Sequence, residues 1–212
     1  MAASRRLMYD SCDACLRRAF LIAHLAPRIA GLLGHQRRGH GLLGLSEEEL
    51  IAATAGRHAE RALAFLDAFD VASERARLMD VGTVVSCTHS SRYPGLLRDL
   101  PDPPAVLFGA GSADVLELLE DEPAVTVVGT RRASPYGTEV AYAIGRGLGA
   151  AGVPVVSGLA LGIDGTAHRG CLDGGGVPVA VVASGPDVVY PRRHRSLHER
   201  VRAEGLVLSE LP

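Results

Sequence analysis

Residues 124–137 read AVTVVGTRRASPYG, and residues 153–168 read VPVVSGLALGIDGTAH. Each stretch begins with a continuous apolar run, reaches a glycine, and then leads into a helical pattern. Uninterrupted apolar runs of this kind are typical of strands that are buried on both faces of a parallel sheet. The two stretches therefore predict two strand–loop–helix units whose loops lie at one edge of the same sheet.

The same pattern continues to the end of the sequence. Further strands are predicted at VPVAVVASG (177–185) and LVLSE (206–210), with helical segments at about 136–151, 163–173 and 193–204. Alternating strands and helices predict an α/β fold, a parallel sheet with flanking helices and right-handed crossovers. We place this α/β part at residues 124–212 and expect ligands beyond the carboxyl ends of its strands.

The first 80 residues predict a small helical domain. Apolar residues recur at helical spacing over residues 15–34, a run that Pro27 should kink or break. Ser46 and Glu49 form a capping-box pattern ahead of a second helix. A third helix is predicted over about residues 58–79, with four core candidates: Leu63, Leu66, Phe69 and Leu78.

Residues 81–123 predict a connector between these two parts. TVVSCT (83–88) and AVLF (105–108) have strand-like composition, and a stretch rich in proline and turn residues separates them. We expect the connector to add edge strands to the sheet of the following domain.

Composition limits the possible functions. The net charge of −2 gives no overall attraction to nucleic acid, so any nucleic-acid site must be a local patch. No apolar run approaches the roughly 20 residues that a membrane-spanning helix needs, and the N-terminus lacks the apolar core of a signal peptide. We therefore expect a cytoplasmic protein with free thiols and no membrane partner.

Cys12 and Cys15 form a single C-x-x-C at the start of the first helical pattern. The pair could be half of a zinc site, with His24, His35 or His40 as a further ligand. Because there is no second C-x-x-C and the histidine spacing is irregular, we favour two cysteines at neighbouring helical positions. The prediction is accordingly no metal and no cofactor.

The first loop, residues 129–137, predicts an anion site. It is neither a dinucleotide fingerprint nor a P-loop, and the sequence contains no lysine. Ser134 suits the N-cap and Pro135 the first turn of a helix, whose N-terminus attracts anions. Arg131 and Arg132 add forked donors that match phosphate geometry. We favour phosphate contact over two solvated surface arginines.

The second loop, residues 157–168, is rich in glycine and contains Asp164 and His168. Gly158 and Gly162 permit close approach of the backbone to a ligand. Asp164 and His168 are four residues apart and share one helix face, so they could form an acid/base pair. They could equally be a helix N-cap and a histidine that orients the loop. With no nucleophile or metal set nearby, we favour the structural role.

The third loop, residues 184–195, contains the densest basic cluster in the sequence. Tyr190 offers a face on which a base could stack, and Arg192, Arg193 and Arg195 could follow a phosphate backbone. A solvated helix start explains the same residues equally well.

Four motifs, in this order and spacing, resemble the DNA-processing protein A (DprA/Smf) family: G-T-R-R-A-S-P-Y-G, S-G-L-A-L-G-I-D-G-T-A-H, G-x-D-x-x-Y-P and L-S-E-x-P. The stretch RYPGLLRDLPDPPAVLFGAG (92–111) is similar to the family's lead-in to its Rossmann-like domain. The preceding helices are similar to its N-terminal sterile-alpha-motif-like (SAM-like) domain. The resemblance implies a non-catalytic protein that binds single-stranded DNA, protects incoming strands during natural transformation in competent cells, and helps load the RecA recombinase.

The resemblance also assigns site residues. The family's G-[ST]-R loop falls on residues 129–131, and its S-G-x-A-x-G-I-D-x-x-A-H loop falls on residues 157–168. Together with the third loop, the predicted DNA- and phosphate-binding residues are Gly129, Thr130, Arg131, Arg132, Ser134, Ser157, Gly158, Gly162, Asp164, His168, Tyr190, Arg192 and Arg193. No catalytic residue is predicted.

The family's domain continues past L-S-E-x-P, whereas this sequence stops at Pro212. We therefore expect a sheet that lacks its last strands, with an open edge. Homodimerisation and RecA contact are expected to depend on surfaces beyond that point.

Two other functions remain open. One is a nucleotide-binding or nucleoside-monophosphate-hydrolysing enzyme of related fold, with Asp164 and His168 as its catalytic candidates. The other is a protein-interaction fragment that acts through the helical domain.

Overall fold

The computed structural model describes residues 9–35 and 41–212. Its elements are β1 (Tyr9–Asp10), α1 (Asp13–His35), α2 (Glu47–Thr54), α3 (Ala59–Ala68), α4 (Val71–Asp80), β2 (Val84–Cys87), α5 (Gly95–Arg98), β3 (Val106–Gly111), α6 (Asp114–Asp121), β4 (Val125–Thr126), α7 (Pro135–Ala150), β5 (Val155–Ser157), α8 (Ile163–Asp173), β6 (Pro178–Val181), α9 (Arg195–Glu204) and β7 (Leu206–Ser209). Short 3₁₀ turns lie at Gly56–His58 and Arg192–His194.

The strands form one seven-stranded sheet in the order β1-β2-β3-β7-β6-β5-β4. Strands β4 to β7 are parallel, as the alternation of strands and helices predicted. On the other side, β3 pairs antiparallel with β7, β2 pairs antiparallel with β3, and β1 pairs parallel with β2. The predicted α/β fold with a helix-flanked sheet is confirmed, and the sheet as a whole is mixed.

The central strands are buried because helices cover both faces of the sheet. Val179, Leu206 and Leu208 pack with side chains of α6 on one face. Ala180 and Val207, which alternate with them along the strands, pack with side chains of α8 and α9 on the other. This double burial accounts for the continuous apolar runs in the sequence.

Strand β4 differs from the prediction of a buried strand at residues 124–129. It covers only Val125–Thr126 and forms the end of the sheet beside β5. Val125 is 37% exposed and Val128 is 67% exposed. Apolar composition alone did not distinguish this edge from the interior, because burial depends on which strands and helices lie alongside.

Helices α7 and α8 contact each other through their backbones. A Cβ atom at Gly145 would lie 2.2 Å from the carbonyl oxygen of Ala167, and one at Gly149 would lie 2.5 Å from that of Cys171. In the other direction, a Cβ atom at Gly170 would lie 2.3 Å from the oxygen of Tyr142. Glycine at these positions lets α7 and α8 approach closely, which fixes the first loop relative to the second.

The N-terminal helices correct the prediction of a break at Pro27. Helix α1 continues through Pro27, because Leu25 and Ile29 on either side are buried in a core that they share with α2 and α3. Burial of such side chains is worth about 1.5–3 kcal/mol each, which offsets the roughly 3 kcal/mol cost of an interior proline. The capping box is confirmed, since Ser46 and Glu49 exchange backbone and side-chain hydrogen bonds.

The helix predicted over residues 58–79 is in fact two helices. Asp70 separates α3 from α4 because it is the N-cap of α4. Its side chain accepts a hydrogen bond from the backbone N–H of Ala72 at 3.0 Å. Leu66 and Leu78 are buried as predicted, whereas Leu63 is 45% exposed and is not a core residue. Phe69 is half-buried.

The helices and the antiparallel strands share one core. Leu16 and Ala19 of α1 pack with Leu78 of α4, Val85 of β2 and Phe108 of β3. The division at residues 80 and 123 stays a prediction. No helix in the described part of the chain is both long and apolar enough to cross a membrane.

Candidate functional site

Three loops meet at the carboxyl ends of β4, β5 and β6, where an α/β sheet binds its ligands. They enclose an open cavity of about 300 Å³. The first loop contributes one lining residue, the second three and the third three, and two more follow directly after β6, namely Arg131, Gly158, Ala160, Leu161, Ser184, Tyr190, Pro191, Val182 and Ala183. The structure therefore brings the three predicted loops to one place.

The first and second loops are in backbone contact. Gly162 has a φ of +81°, and a Cβ atom there would lie 2.2 Å from the carbonyl oxygen of Thr130. The backbone N–H of Ile163 donates to that same oxygen at 3.3 Å. Only glycine fits both the conformation and the space at Gly162. The first loop thus lies directly on the start of α8.

Asp164 joins the ends of β4 and β5. One carboxylate oxygen accepts a hydrogen bond from the backbone N–H of Gly129 at 3.3 Å, and the other accepts from that of Gly158 at 3.2 Å. The side chain is buried. The expectation that Asp164 is a helix N-cap is wrong, because Gly162 occupies that position. Its bonds bridge two loops, so the geometry supports a structural role.

His168 is fully buried behind this bridge. Burial lowers its pKa to about 4, against smaller raising effects of the Ser157 backbone and the Asp164 carboxylate. Neither ring nitrogen has a hydrogen-bond partner of normal geometry among the described residues. Asp164 and His168 therefore share a helix face, as predicted, without forming a hydrogen-bonded acid/base pair.

The third loop is held against the second by His194, which the sequence analysis did not single out. Its Nδ1 atom lies 2.9 Å from the carbonyl oxygen of Leu159, and the ring is buried. A Cβ atom at Gly165 would lie 2.3 Å from the ring, and Leu159 itself has a φ of +56°. The signal was present in R-R-H-R, because histidine is buried in proteins more often than arginine.

The arginines of the first loop are available to a ligand. Arg131 and Arg132 are exposed, and neither forms an ion pair with a described residue. Arg131 lines the cavity. Ser134 is the N-cap of α7, as predicted, and accepts the backbone N–H of Gly137 at 3.1 Å. The positive end of α7 therefore follows directly after the two arginines.

The third loop presents its aromatic residue to the cavity. Tyr190 is 66% exposed and lines the cavity beside Pro191, with a cis peptide bond between the two. Arg192 and Arg193 follow on the exposed 3₁₀ turn and form no ion pair within the described residues. The cavity thus has a cation on one side and an aromatic ring on another.

The structure does not bring every predicted residue to the cavity. Ser157 is buried, and its hydroxyl donates to the carbonyl oxygen of Val127 at 2.6 Å, so it is not a free phosphate donor. Asp164 and His168 lie behind the loops. The lining residues that the sequence analysis missed are small or apolar and have no chemical signature: Ala160, Leu161, Val182, Ala183, Ser184 and Pro191.

Comparison with known proteins gives consistent matches. The family model described as DNA recombination-mediator protein A matches residues 84–212. Protein Smf of Synechocystis sp. is 43% identical over 120 residues, which cover 57% of this chain and 30% of that protein. DNA processing protein DprA of Streptococcus pneumoniae is 40% identical over 118 residues, which cover 56% of this chain and 40% of the relative.

Comparison of three-dimensional structures gives a match over more of the chain than the sequence comparisons do. The X-ray structure of DNA processing protein A from Streptococcus pneumoniae superposes with a TM-score of 0.64 at 26% identity, covering 95% of this chain and 68% of that one. In sequence, the matched part spans only 30% and 40% of the two curated relatives.

Proposed function

The chain belongs to the DNA recombination-mediator protein A family, as its motifs predicted, and we propose that it binds single-stranded DNA across the three loops. One observation carries the proposal. Arg131, Gly158 and Tyr190 line the same cavity, which places a cation, an open stretch of backbone and an aromatic face next to one another.

Each of these groups suits one part of a nucleotide. The guanidinium of Arg131 matches the geometry of a phosphate, and the N-terminus of α7 adds partial positive charge nearby. The backbone at Gly158 is open to close approach. The ring of Tyr190 offers a stacking surface that accepts any base. A cavity of about 300 Å³ has the volume of a small-ligand site and suits one nucleotide rather than a duplex.

Exposed arginines extend the proposed DNA site beyond the cavity. Arg132 lies next to Arg131, while Arg192 and Arg193 follow Tyr190, and all are exposed. A single strand whose base stacks on Tyr190 can therefore run between two pairs of arginines. The net charge of −2 means that affinity arises from this patch rather than from the whole molecule.

The biological role that we propose is DNA processing in natural transformation. The chain would protect incoming single strands and help load RecA, with RecA and a second copy of the chain as protein partners. The support for this role is family membership, together with the names of the matched relatives, which describe DNA processing proteins.

The enzyme alternative has less support from the geometry. Both carboxylate oxygens of Asp164 accept backbone hydrogen bonds, and His168 is buried away from the cavity. Among the lining residues, only Arg131 and Tyr190 carry an ionisable side chain. The described lining contains no carboxylate, histidine or cysteine that could act as an acid, a base or a nucleophile. We therefore expect no release of base from nucleoside monophosphates.

Fluorescence anisotropy with labelled oligo-dT tests the site. Arg131→Ala should weaken binding at least about tenfold, because it removes a charge-assisted contact worth about 1.5–3 kcal/mol. Arg202→Ala is the matched control. Arg202 is an exposed arginine in the last turn of α9, near the start of β7, whereas the cavity lies at the carboxyl ends of the strands. If Arg131→Ala binds as tightly as the parent at every salt concentration, the site assignment is wrong.

Tyr190 supplies a second comparison. Tyr190→Ala should weaken binding about fivefold or more, since stacking on an aromatic side chain is worth roughly 1–3 kcal/mol per base. Tyr190→Phe keeps the ring and should bind like the parent. Equal losses in the two variants would argue against stacking.

A further inference from the structure

Four side chains of the types that bind metals meet where α1 begins and β2 ends. In the sheet order this place lies at the end opposite β4, away from the cavity. The four side chains are Cys12, Cys15, Cys87 and His89, here called the Cys/His cluster. The three Sγ atoms and a ring nitrogen all lie within 4.8 Å of one another. The Nδ1 atom of His89 is 3.6 Å from the Sγ of Cys12 and 3.3 Å from that of Cys15.

These separations fit a tetrahedral metal ion. Zinc binds thiolate sulfur at about 2.3 Å and imidazole nitrogen at about 2.0–2.1 Å, so a regular site has sulfur–sulfur edges of about 3.8 Å and sulfur–nitrogen edges of about 3.6 Å. The observed distances from Nδ1 to sulfur lie close to that edge length. The largest separation within the cluster is at most 4.8 Å, about 1 Å more than a regular edge.

The register of the edge strands builds the cluster. Strand β1 pairs parallel with β2, so that Tyr9 lies opposite Val85 and Asp10 opposite Ser86. Two residues further along, Cys12 therefore lies beside the end of β2, and Cys15 follows one helical turn later. The backbone N–H of Ser90 donates to the carbonyl oxygen of Cys87 at 2.8 Å. The resulting turn places His89 beside the cysteines.

Burial is graded across the cluster. Cys15 and Cys87 are buried, whereas Cys12 and His89 are exposed, and all of these cysteines are free thiols. Two ligands on the protein side and two on the solvent side hold an ion firmly and leave it a path of entry.

We propose that the Cys/His cluster binds one Zn²⁺ ion as a structural site. Three thiolates and an imidazole are the donors that zinc prefers, and four protein ligands leave no open position for substrate. The ion would fix the N-terminal strand and helix to the end of β2, so its binding energy would contribute to folding.

The proposal replaces the preference for two unconnected cysteines in the C-x-x-C. The partners considered from the sequence were wrong or untested: His24 stacks on the ring of Phe65 at 4.4 Å, and the side chains of His35 and His40 lie outside the described residues. The overlooked signal is the C-x-H at residues 87–89, at the end of a predicted strand.

Metal analysis of the purified, reduced 212-residue chain tests the proposal directly. We expect one zinc per chain. Titration of the metal-free chain with Co²⁺ should give the charge-transfer and ligand-field bands of a tetrahedral thiolate site, and Zn²⁺ should displace the cobalt. A reduced chain that binds neither ion overturns the proposal, and this result needs no variant to fold.

Variants then locate the ligands. Cys12 is exposed, so Cys12→Ser removes a ligand without opening a cavity. It should weaken Co²⁺ binding more than about a hundredfold, since loss of even an outer partner of a ligand costs 10–100-fold. His89→Cys should retain the ion, with bands shifted towards those of a four-thiolate site. Cys171→Ser, which changes a cysteine of α8, is the matched control and should bind like the parent.

Thermal unfolding gives an independent measurement. Excess chelator should lower the Tm of the parent and of Cys171→Ser, and it should leave the Tm of Cys12→Ser unchanged. If the Cys12→Ser chain binds Co²⁺ as tightly as the parent, or if chelator lowers the Tm of both equally, the assignment is wrong.

Discussion

Removal of the Asp164 carboxylate tests how the candidate site is held together. The side chain is the only described acceptor for two backbone N–H groups at the ends of neighbouring strands, those of Gly129 and Gly158. Asp164→Ala takes away both hydrogen bonds. Asp164→Asn keeps one acceptor oxygen and turns an amide NH₂ group towards the other N–H.

The two distances set the size of the effect. Hydrogen bonds to a charged group contribute about 1.5–3 kcal/mol each. At 3.3 Å and 3.2 Å these bonds are longer than typical charge-assisted ones, and the exposure of both glycines lets water replace them in part. The lower figure therefore applies. We expect Asp164→Ala to lower the free energy of unfolding by about 3 kcal/mol, and Asp164→Asn by at least about 1.5 kcal/mol.

Urea unfolding followed by circular dichroism measures this loss. With an m-value of about 3 kcal/mol per molar urea, Asp164→Ala should move the midpoint down by about 1 M. Asp67→Ala is the control, because Asp67 is an exposed residue of α3 with no hydrogen bond or ion pair to a described residue. It should change the free energy of unfolding by less than about 0.5 kcal/mol. Equal midpoints for Asp164→Ala and Asp67→Ala would refute the bridging role.

Two further predictions concern α7 and α8, the helices that carry the first two loops. The pKa of His168 is about 4 in the folded chain, against an ordinary value of 6.5, so the unfolded chain takes up its proton first as the pH falls. The contribution of His168 to the free energy of unfolding should therefore be constant above about pH 6.5 and should fall by roughly 3 kcal/mol by about pH 4. A parallel series of urea unfolding curves on His168→Leu should lack this fall. Gly145→Ala should destabilise the chain by about 1–3 kcal/mol or more, because its Cβ atom would lie 2.2 Å from the oxygen of Ala167. Gly147→Ala on the same helix places its Cβ atom where no other atom lies within 4 Å, so it should stabilise the chain by up to about 1 kcal/mol. If thermal melts show that Gly145→Ala and Gly147→Ala change the stability in the same direction, α7 and α8 are not closely packed at Gly145.

The sequence predicted the central sheet well because its signals there are local. Strands β5, β6 and β7 lie within the predicted apolar runs, and their burial on both faces is what makes those runs continuous. Ser134 and Pro135 set the start of α7 through capping, which needs no distant partner.

Other features could not be read locally. Strand β4 has the composition of a buried strand, but its exposure depends on its place at the end of the sheet. Pro27 stays within α1 because tertiary packing outweighs the local cost. The N-cap at Asp70 outweighed the helical periodicity that runs across it.

The candidate site divides in the same way. The three loops were predicted from strand ends, yet their contacts depend on pairs distant in sequence, such as Asp164 with Gly129 and His194 with Leu159. The Cys/His cluster depends on a strand register that joins residues 9 and 10 to residues 85 and 86. No strand was predicted at residues 9 and 10, so no partner for the end of β2 could be predicted.

Salt dependence of oligo-dT affinity tests the single-stranded DNA site most directly. The predicted site residues include four exposed arginines: Arg131, Arg132, Arg192 and Arg193. Each phosphate neutralised on a single strand contributes about −0.7 to the slope of log affinity against log salt, so we predict a slope of about −3. That slope corresponds to a roughly fifty-fold loss of affinity between about 50 and about 200 mM salt, and it should be about 0.7 shallower in Arg131→Ala. A slope near zero, or the same slope in the parent and in Arg131→Ala, would show that these arginines do not contact DNA phosphates.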